Sequence, residues 1–278
     1  MHIAGRFADV PLDLLDRATV KDWIADMHRA GVGAHTIAAA ARHLAKMLAD
    51  AVDAGLLEVN PAARLTVPAP PIRAPFFWTR DEAAALLREL DGPMRTLVDL
   101  DLHTGLRIGE VTGLWCEQVD WQAGLLHVNA AQTRFGRERT PKGRRLRTVP
   151  IPAHLLDPLL ELTSGRPGDA YVFTAARGGP IDDTHFRRRV FLPAVEAARV
   201  RRGTVHDMRH TAASWLVADG VDLYRVQALL GHESFRTTMR YAHLAPSAFD
   251  AITASWARGA RPAHAPEQVT AVGVPDGR

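Results

Sequence analysis

The stretch VHDMRHTAASWLVADG, residues 205–220, decides how the rest of the chain is read. Its periodicity predicts a helix over about 207–219. His206 and Arg209 stand three residues apart and so share one face at the helix start, where backbone N–H groups favour an anion. His206 and His210 have the i, i+4 spacing of a metal pair. However, no carboxylate occupies the position that a zinc-binding H-E-x-x-H helix requires and no third ligand is evident, so no metal is expected. A histidine near a helix start is often a cap or a packing residue, so this stretch gains meaning only from the others.

Three further segments supply it. In LLGHESFRTTMRYAHL (229–244), Gly231 breaks a helix, His232 follows directly, and Tyr241 lies nine residues later, about 2.5 helical turns on, in a helix predicted over 234–243. In HTGLRIGEVTGL (103–114), Gly105 ends one helix and Arg107 opens the next turn; Glu110, three residues on, is placed to hold the guanidinium. Taken alone, Arg107 reads more readily as a surface ion pair and Tyr241 as a half-buried aromatic with a satisfied hydroxyl. From Arg134 to Arg147 the chain carries seven cations and one acid, Glu138, a run usually read as a solvated hairpin. Only three of its 34 basic residues are lysine, and Lys142 is the one inside this arginine cluster. An ammonium can be tuned to release a proton and a guanidinium cannot, which makes Lys142 a candidate general acid.

Charge is distributed unevenly around these segments. The net is only +3, yet residues 134–210 hold 16 basic against 8 acidic groups, as expected of a surface facing a polyanion. No apolar run approaches the ~18 residues of a membrane helix, and Asp9, Asp13 and Asp16 interrupt any signal-peptide core. The single cysteine, Cys116, excludes an internal disulfide and a multi-cysteine metal site, so a cytoplasmic protein is expected. Two helices are predicted within 18–58, then a proline-rich linker over 66–78. Thr79 and Glu82 form a capping-box pattern, and a further helix opens at Pro93. Strands are predicted at 125–129 and 146–151, joined by the arginine-rich arm, and helices resume around 182–199, 207–219, 222–230, 234–243 and 246–257. The fold class is therefore mainly α with a small antiparallel β-sheet. The organisation is 1–65 helical, 66–78 linker, 79–257 the larger domain, and 258–278 a disordered tail.

Arg107, Lys142, His206, Arg209, His232 and Tyr241, in this order and set in the words TGLRIGE, H-x-x-R and LGH, resemble the tyrosine recombinase (phage integrase) family. The resemblance spans about residues 79–257, and more loosely the helical segment before the linker. It implies a helical core-DNA-binding domain followed by a catalytic domain that clamp duplex DNA. It implies that Arg107 and Arg209 grip the scissile phosphate, with His232 adding a hydrogen bond and Glu110 supporting Arg107. Tyr241 attacks, His206 serves as general base, and Lys142 protonates the leaving 5′-hydroxyl. The product is a 3′-phosphotyrosyl linkage, formed without metal, ATP or other cofactor. Arg134, Arg137, Arg139, Arg144, Arg145 and Arg147 are expected to contact DNA. The resemblance further implies four protomers on two DNA sites, a C-terminal helix (246–257) exchanged between neighbours, accessory directionality factors and a nucleoid-associated location. A DNA-binding remnant without catalysis and a type IB topoisomerase-like nicking and resealing enzyme are the alternatives. The opening MHIAGRFADVPLDLL resembles the middle of such an N-terminal domain, so a preceding helix is expected to be missing.

Overall fold

The computed structural model describes residues 2–67, 76–133, 136–139 and 146–246, together with Thr253 and Trp256. Its contacts divide the chain into two compact units, Met1–Ala74 and Pro75–Arg278. None of the helices among the described residues is long and apolar enough to cross a membrane.

The smaller unit is built on α1 (Ala4–Phe7), α2 (Arg17–Arg29) and α3 (Ala34–Asp53). The Asp16 carboxylate caps α2 by accepting from the Thr19 N–H at 2.7 Å. Val20, Trp23, Ile24 and Met27 then fall on one face of α2 and bury against Ile37, Ala41, Leu44 and Leu48 of α3.

In the larger unit, α4 (Arg80–Arg88) starts at the capping box that Thr79 and Glu82 predict: Glu82 N–H donates to Thr79 Oγ1 at 3.1 Å and Thr79 N–H to Glu82 Oε2 at 2.7 Å. Pro93 lies in the first turn of α5 (Gly92–Thr104), which is buried along most of its length, and α6 (Ile108–Thr112) follows. A three-stranded antiparallel sheet has the order β1–β2–β5 (Val119–Asp120, Leu125–Val128, Arg147–Pro150), with Leu126 opposite Val149. The two strands expected from the sequence pair with each other. Between them runs a hairpin that periodicity did not reveal, β3 (Ala130–Thr133) with β4 (Gly136–Arg139). It seats against α6 because Gly109 and Gly113 lack side chains; a Cβ on either would stand 2.5 Å from the Gln132 backbone.

Helices α7 (Leu156–Thr163), α8 (Asp183–Phe186), α9 (Leu192–Ala197), α10 (Val205–Ala218), α11 (Leu223–Leu230) and α12 (Phe235–Met239) complete the unit. The single helix predicted over 182–199 is interrupted by a π-helical turn, Arg187–Phe191. Pro193 stands just beyond it and has no N–H to give to the preceding turn, the local condition for such a departure. The helix predicted over 234–243 stops at Met239, so Tyr241 follows α12 rather than lying within it. Most of 246–257, all of 258–278 and the linker segment 68–75 lie outside the described residues.

Candidate active site

Arg107 sits directly ahead of α6, where the chain has just left α5 through Gly105 in the left-handed conformation (φ 63°). A side chain at 105 would be impossible on two counts, since its Cβ would come within 2.5 Å of Leu230 Cδ2. Glu110, one turn into α6, accepts from the Arg107 N–H at 2.8 Å and from its Nη1 at 3.0 Å, as the i, i+3 spacing predicts.

A second guanidinium shares that carboxylate. Arg147 donates from Nη1 to Glu110 Oε1 at 3.0 Å and from Nη2 to Oε2 at 2.6 Å, while its Nε donates to Leu229 O at 2.8 Å. Arg147 therefore departs from the expectation that it contacts DNA. It shares the inner face of β5 with Val149, two residues on, and its side chain is only 11% exposed. Burial by itself would raise the Glu110 pKa. The hydrogen bond and charge of Arg147, followed by those of Arg107, outweigh burial and hold the carboxyl below its ordinary value.

Arg209 is buried one turn into α10. Its Nη1 donates to Gly105 O and its Nη2 to Leu230 O, both at 2.6 Å. Arg107 Nη2 points at the next carbonyl, Gly231 O, at 3.5 Å. Two guanidiniums from helices about 100 residues apart thus converge on consecutive peptide groups. Burial, then the neighbouring charges of Arg107 and Arg147, lower the Arg209 pKa to about 10, still cationic at neutral pH. Asp101 is the buried carboxyl coupled to this group: burial raises its pKa well above the ordinary value, and its Oδ1 has no hydrogen-bond partner. Nothing in the sequence marked it.

His232 follows Gly231, whose left-handed conformation ends α11. Its Nδ1 lies 2.9 Å from Thr238 Oγ1. Burial, then the charges of Arg209 and Arg107, push its pKa down to about 4, so the ring is neutral at pH 7. Tyr241 is 1% exposed and packs with Ala213, Val217, Val226 and Leu230. Its hydroxyl is hydrogen-bonded to His210 Nδ1, a residue that sequence reasoning considered only as half of a metal pair. His206 lies edge-on to His210, ring centroids 4.8 Å apart, and is exposed. Its pKa is lowered; partial desolvation of the ring is the largest cause, and the charge of Arg209 adds to it.

Of the remaining expected residues, Lys142, Arg134, Arg144 and Arg145 lie outside the described residues. Arg137 and Arg139 are on β4, opposite Gln132 and Ala130. The metal-ligand types that approach one another among the described residues are Asp99, His103 and His154, with ligand atoms within 4.8 Å. They form a hydrogen-bonded network of their own: His103 Nδ1 is 2.9 Å from both the backbone and carboxylate oxygens of Asp99, and His154 Nε2 is 3.3 Å from that carboxylate.

The sequence model of the Phage integrase family matches residues 77–248. Tyrosine recombinase XerC of Xylella fastidiosa (strain 9a5c) is 32% identical over 237 residues, covering 83% of this chain and 77% of that protein. The XerC protein of Mycobacterium bovis (strain BCG / Pasteur 1173P2) is 30% identical over 259 residues, 87% of this chain and 83% of that one. Among solved structures, the Tn1549 transposon integrase in complex with transposon right end DNA superimposes with a TM-score of 0.73 at 21% identity, covering 91% of this chain and 88% of that one. A lambda integrase tetramer bound to a Holliday junction gives 0.65 at 19% identity, over 84% and 68%. The chain belongs to the phage integrase family and is a tyrosine recombinase, an enzyme that cleaves and rejoins DNA.

Proposed function

We propose that this chain is a site-specific recombinase that exchanges DNA strands through a 3′-phosphotyrosyl intermediate. The observation that carries the reading is the convergence of Arg107 and Arg209 on the Leu230–Gly231 carbonyls, next to His232 and one helix away from Tyr241. A phosphodiester repels nucleophiles, and its pentacoordinate transition state gathers charge on the nonbridging oxygens. Two guanidiniums fixed by backbone acceptors meet that charge without reorganising, a contribution worth ~10³–10⁵ in rate per arginine in other phosphoryl-transfer enzymes. Neutral His232 donates a further hydrogen bond. Tyr241 attacks through its phenolic oxygen, and Lys142 protonates the departing 5′-hydroxyl. Each step exchanges one phosphoester for another.

Duplex DNA is the substrate, held by the 1–65 segment and the 79–257 domain on either side of the 66–78 linker. Arg134, Arg137, Arg139, Arg144 and Arg145 of the basic arm supply phosphate contacts and a steep salt dependence. The active assembly is four protomers on two sites, exchanging residues 246–257, in the cytoplasm on nucleoid DNA.

A suicide duplex, nicked so that the cleaved fragment diffuses away, tests the chemistry. Wild-type protein should form a covalent protein–DNA adduct, and Tyr241→Phe should form none. An adduct that persists in Tyr241→Phe overturns the reading. Strand exchange between two duplexes, rather than resealing of one, separates a recombinase from a nicking-closing enzyme.

A further inference from the structure

We propose that His210, rather than His206, takes the proton from the Tyr241 hydroxyl as the phenolic oxygen attacks phosphorus. The inference rests on the reading of Tyr241 as the nucleophile. Tyr241 is enclosed by Ala213, Val217, Val226 and Leu230 and is 1% exposed, so bulk water has little access to its proton. Its hydroxyl instead meets His210 Nδ1 in a hydrogen bond. His206 packs edge-on against the His210 ring, and none of the described hydrogen bonds joins it to Tyr241. His210 also follows Arg209 in the same helix, so the proton acceptor and one phosphate-gripping guanidinium are fixed relative to each other by a single backbone.

The electrostatics suit the task. Burial first, then the charges of His206 and Arg240, push the His210 pKa down to about 4, with Arg209 acting the same way and Asp207 opposing. The ring is neutral at pH 7, and with its proton on Nε2 it presents a lone pair at Nδ1 to the phenol. Burial raises the Tyr241 pKa, against the charges of Arg240 and Arg209, so the hydroxyl keeps its proton until a base removes it. In the step itself, the Oη–H proton passes to His210 Nδ1 while the Oη–P bond forms. The P–O5′ bond breaks, and O5′ takes a proton from the general acid assigned above to Lys142. Resealing runs the same transfers backwards, with the His210 proton returned to the departing phenol.

The test uses the full chain, the suicide duplex, and the same duplex with sulfur in place of the bridging 5′ oxygen. A thiolate leaves without being protonated, so this substrate removes the need for an acid but not for a base. His210→Gln keeps a hydrogen-bond acceptor that does not take up a proton. Adduct formation should fall by about 10²–10⁴-fold on the oxygen substrate. The loss should persist on sulfur, and the rate should climb with pH between 7 and 9 while wild type stays flat. A wild-type rate with a flat profile, or rescue by the sulfur substrate, overturns the proposal. DNA affinity and the unfolding midpoint report whether the variant is intact. A measurement without any variant stands beside it: ¹⁵N spectra of the wild type should show His210 Nδ1 unprotonated and accepting, and an Nδ1–H signal overturns the assignment. Loss of adduct in Tyr241→Phe with an unaffected His210→Gln sinks only this inference, whereas adduct in Tyr241→Phe sinks the reading beneath it.

Discussion

Glu82 and Glu110 each bind an arginine brought from far along the chain, and both pairs are bidentate. Arg201 Nε and Nη2 meet the Glu82 carboxylate at 2.7 and 2.8 Å; Arg147 Nη1 and Nη2 meet Glu110 at 3.0 and 2.6 Å. Their surroundings differ. The Arg201 and Glu82 side chains are 55% and 21% exposed, whereas Arg147 and Glu110 are 11% and 8% exposed. Water replaces the first interaction at little cost, while a charge stranded in the second has nowhere to go. Glu110 also answers for more than one partner, because Arg107 and Arg147 both depend on it and Arg209 adds its charge nearby.

The sharpest way to break the contrast is Glu110→Gln. It conserves shape and removes the charge that balances two guanidiniums, and the expected loss is about 3–5 kcal/mol in chemical denaturation followed by circular dichroism. Adding Arg147→Met should return most of that loss, because the stranded charge is gone and the apolar stem remains. Adduct formation should not return with it, since Arg107 still lacks its carboxylate. Recovery of both would show that Glu110 serves stability alone.

How the sequence exposed these regions follows from distance along the chain. Arg107 with Glu110, and Thr79 with Glu82, are local pairs at helical spacing, and both were legible before any fold was known. Arg147 reads as one more cation in a basic run; only the register of β5 against β2 turns it inward, onto a carboxylate 37 residues away. His210 is likewise invisible as a partner of Tyr241, because 31 residues and the turn after α12 separate them. The sequence did not single out Gly109 or Gly113, because the reason for them, the strand pressed against them, is tertiary. Periodicity reports which face is buried but not what lies across from it.

Acid titration separates the charge of Glu110 from its shape. Between the ordinary histidine value of 6.5 and about 4, the unfolded chain binds protons that folded His210 and His232 refuse, so stability falls as pH falls. Below 4.5 the Glu110 contribution is lost in the same direction as its depressed carboxyl becomes protonated. The stability gap between wild type and Glu110→Gln should therefore be full at pH 7 and narrow progressively below pH 4.5. A gap that stays constant to pH 3 would mean that the charge of Glu110 is not what its contacts with Arg107 and Arg147 require.

The smallest effect belongs to the exposed pair. Arg201 and the Thr79 and Glu82 capping contacts hold the Glu82 carboxyl down to about 2, with the Arg201 hydrogen bond the largest cause. Yet the shift belongs to a group in contact with water, and it overstates what the pair contributes to folding. Arg201→Ala leaves the capping box intact, because Thr79 and Glu82 satisfy each other's backbone groups without it. What it removes besides the ion pair is a hydrogen bond to Phe77 O and the guanidinium over the Phe76 ring, 4.8 Å from its centroid. Exposed ion pairs and exposed cation–π contacts are each worth ~0.5–1 kcal/mol, and the three contacts share one side chain whose freedom is regained on deletion. The expected loss is about 1 kcal/mol, smaller still in 1 M salt, where the surface charge is screened. A loss as large as that of Glu110→Gln would mean that position 201 anchors the start of α4 through packing, and that exposure is a poor guide to which of these two carboxylates matters.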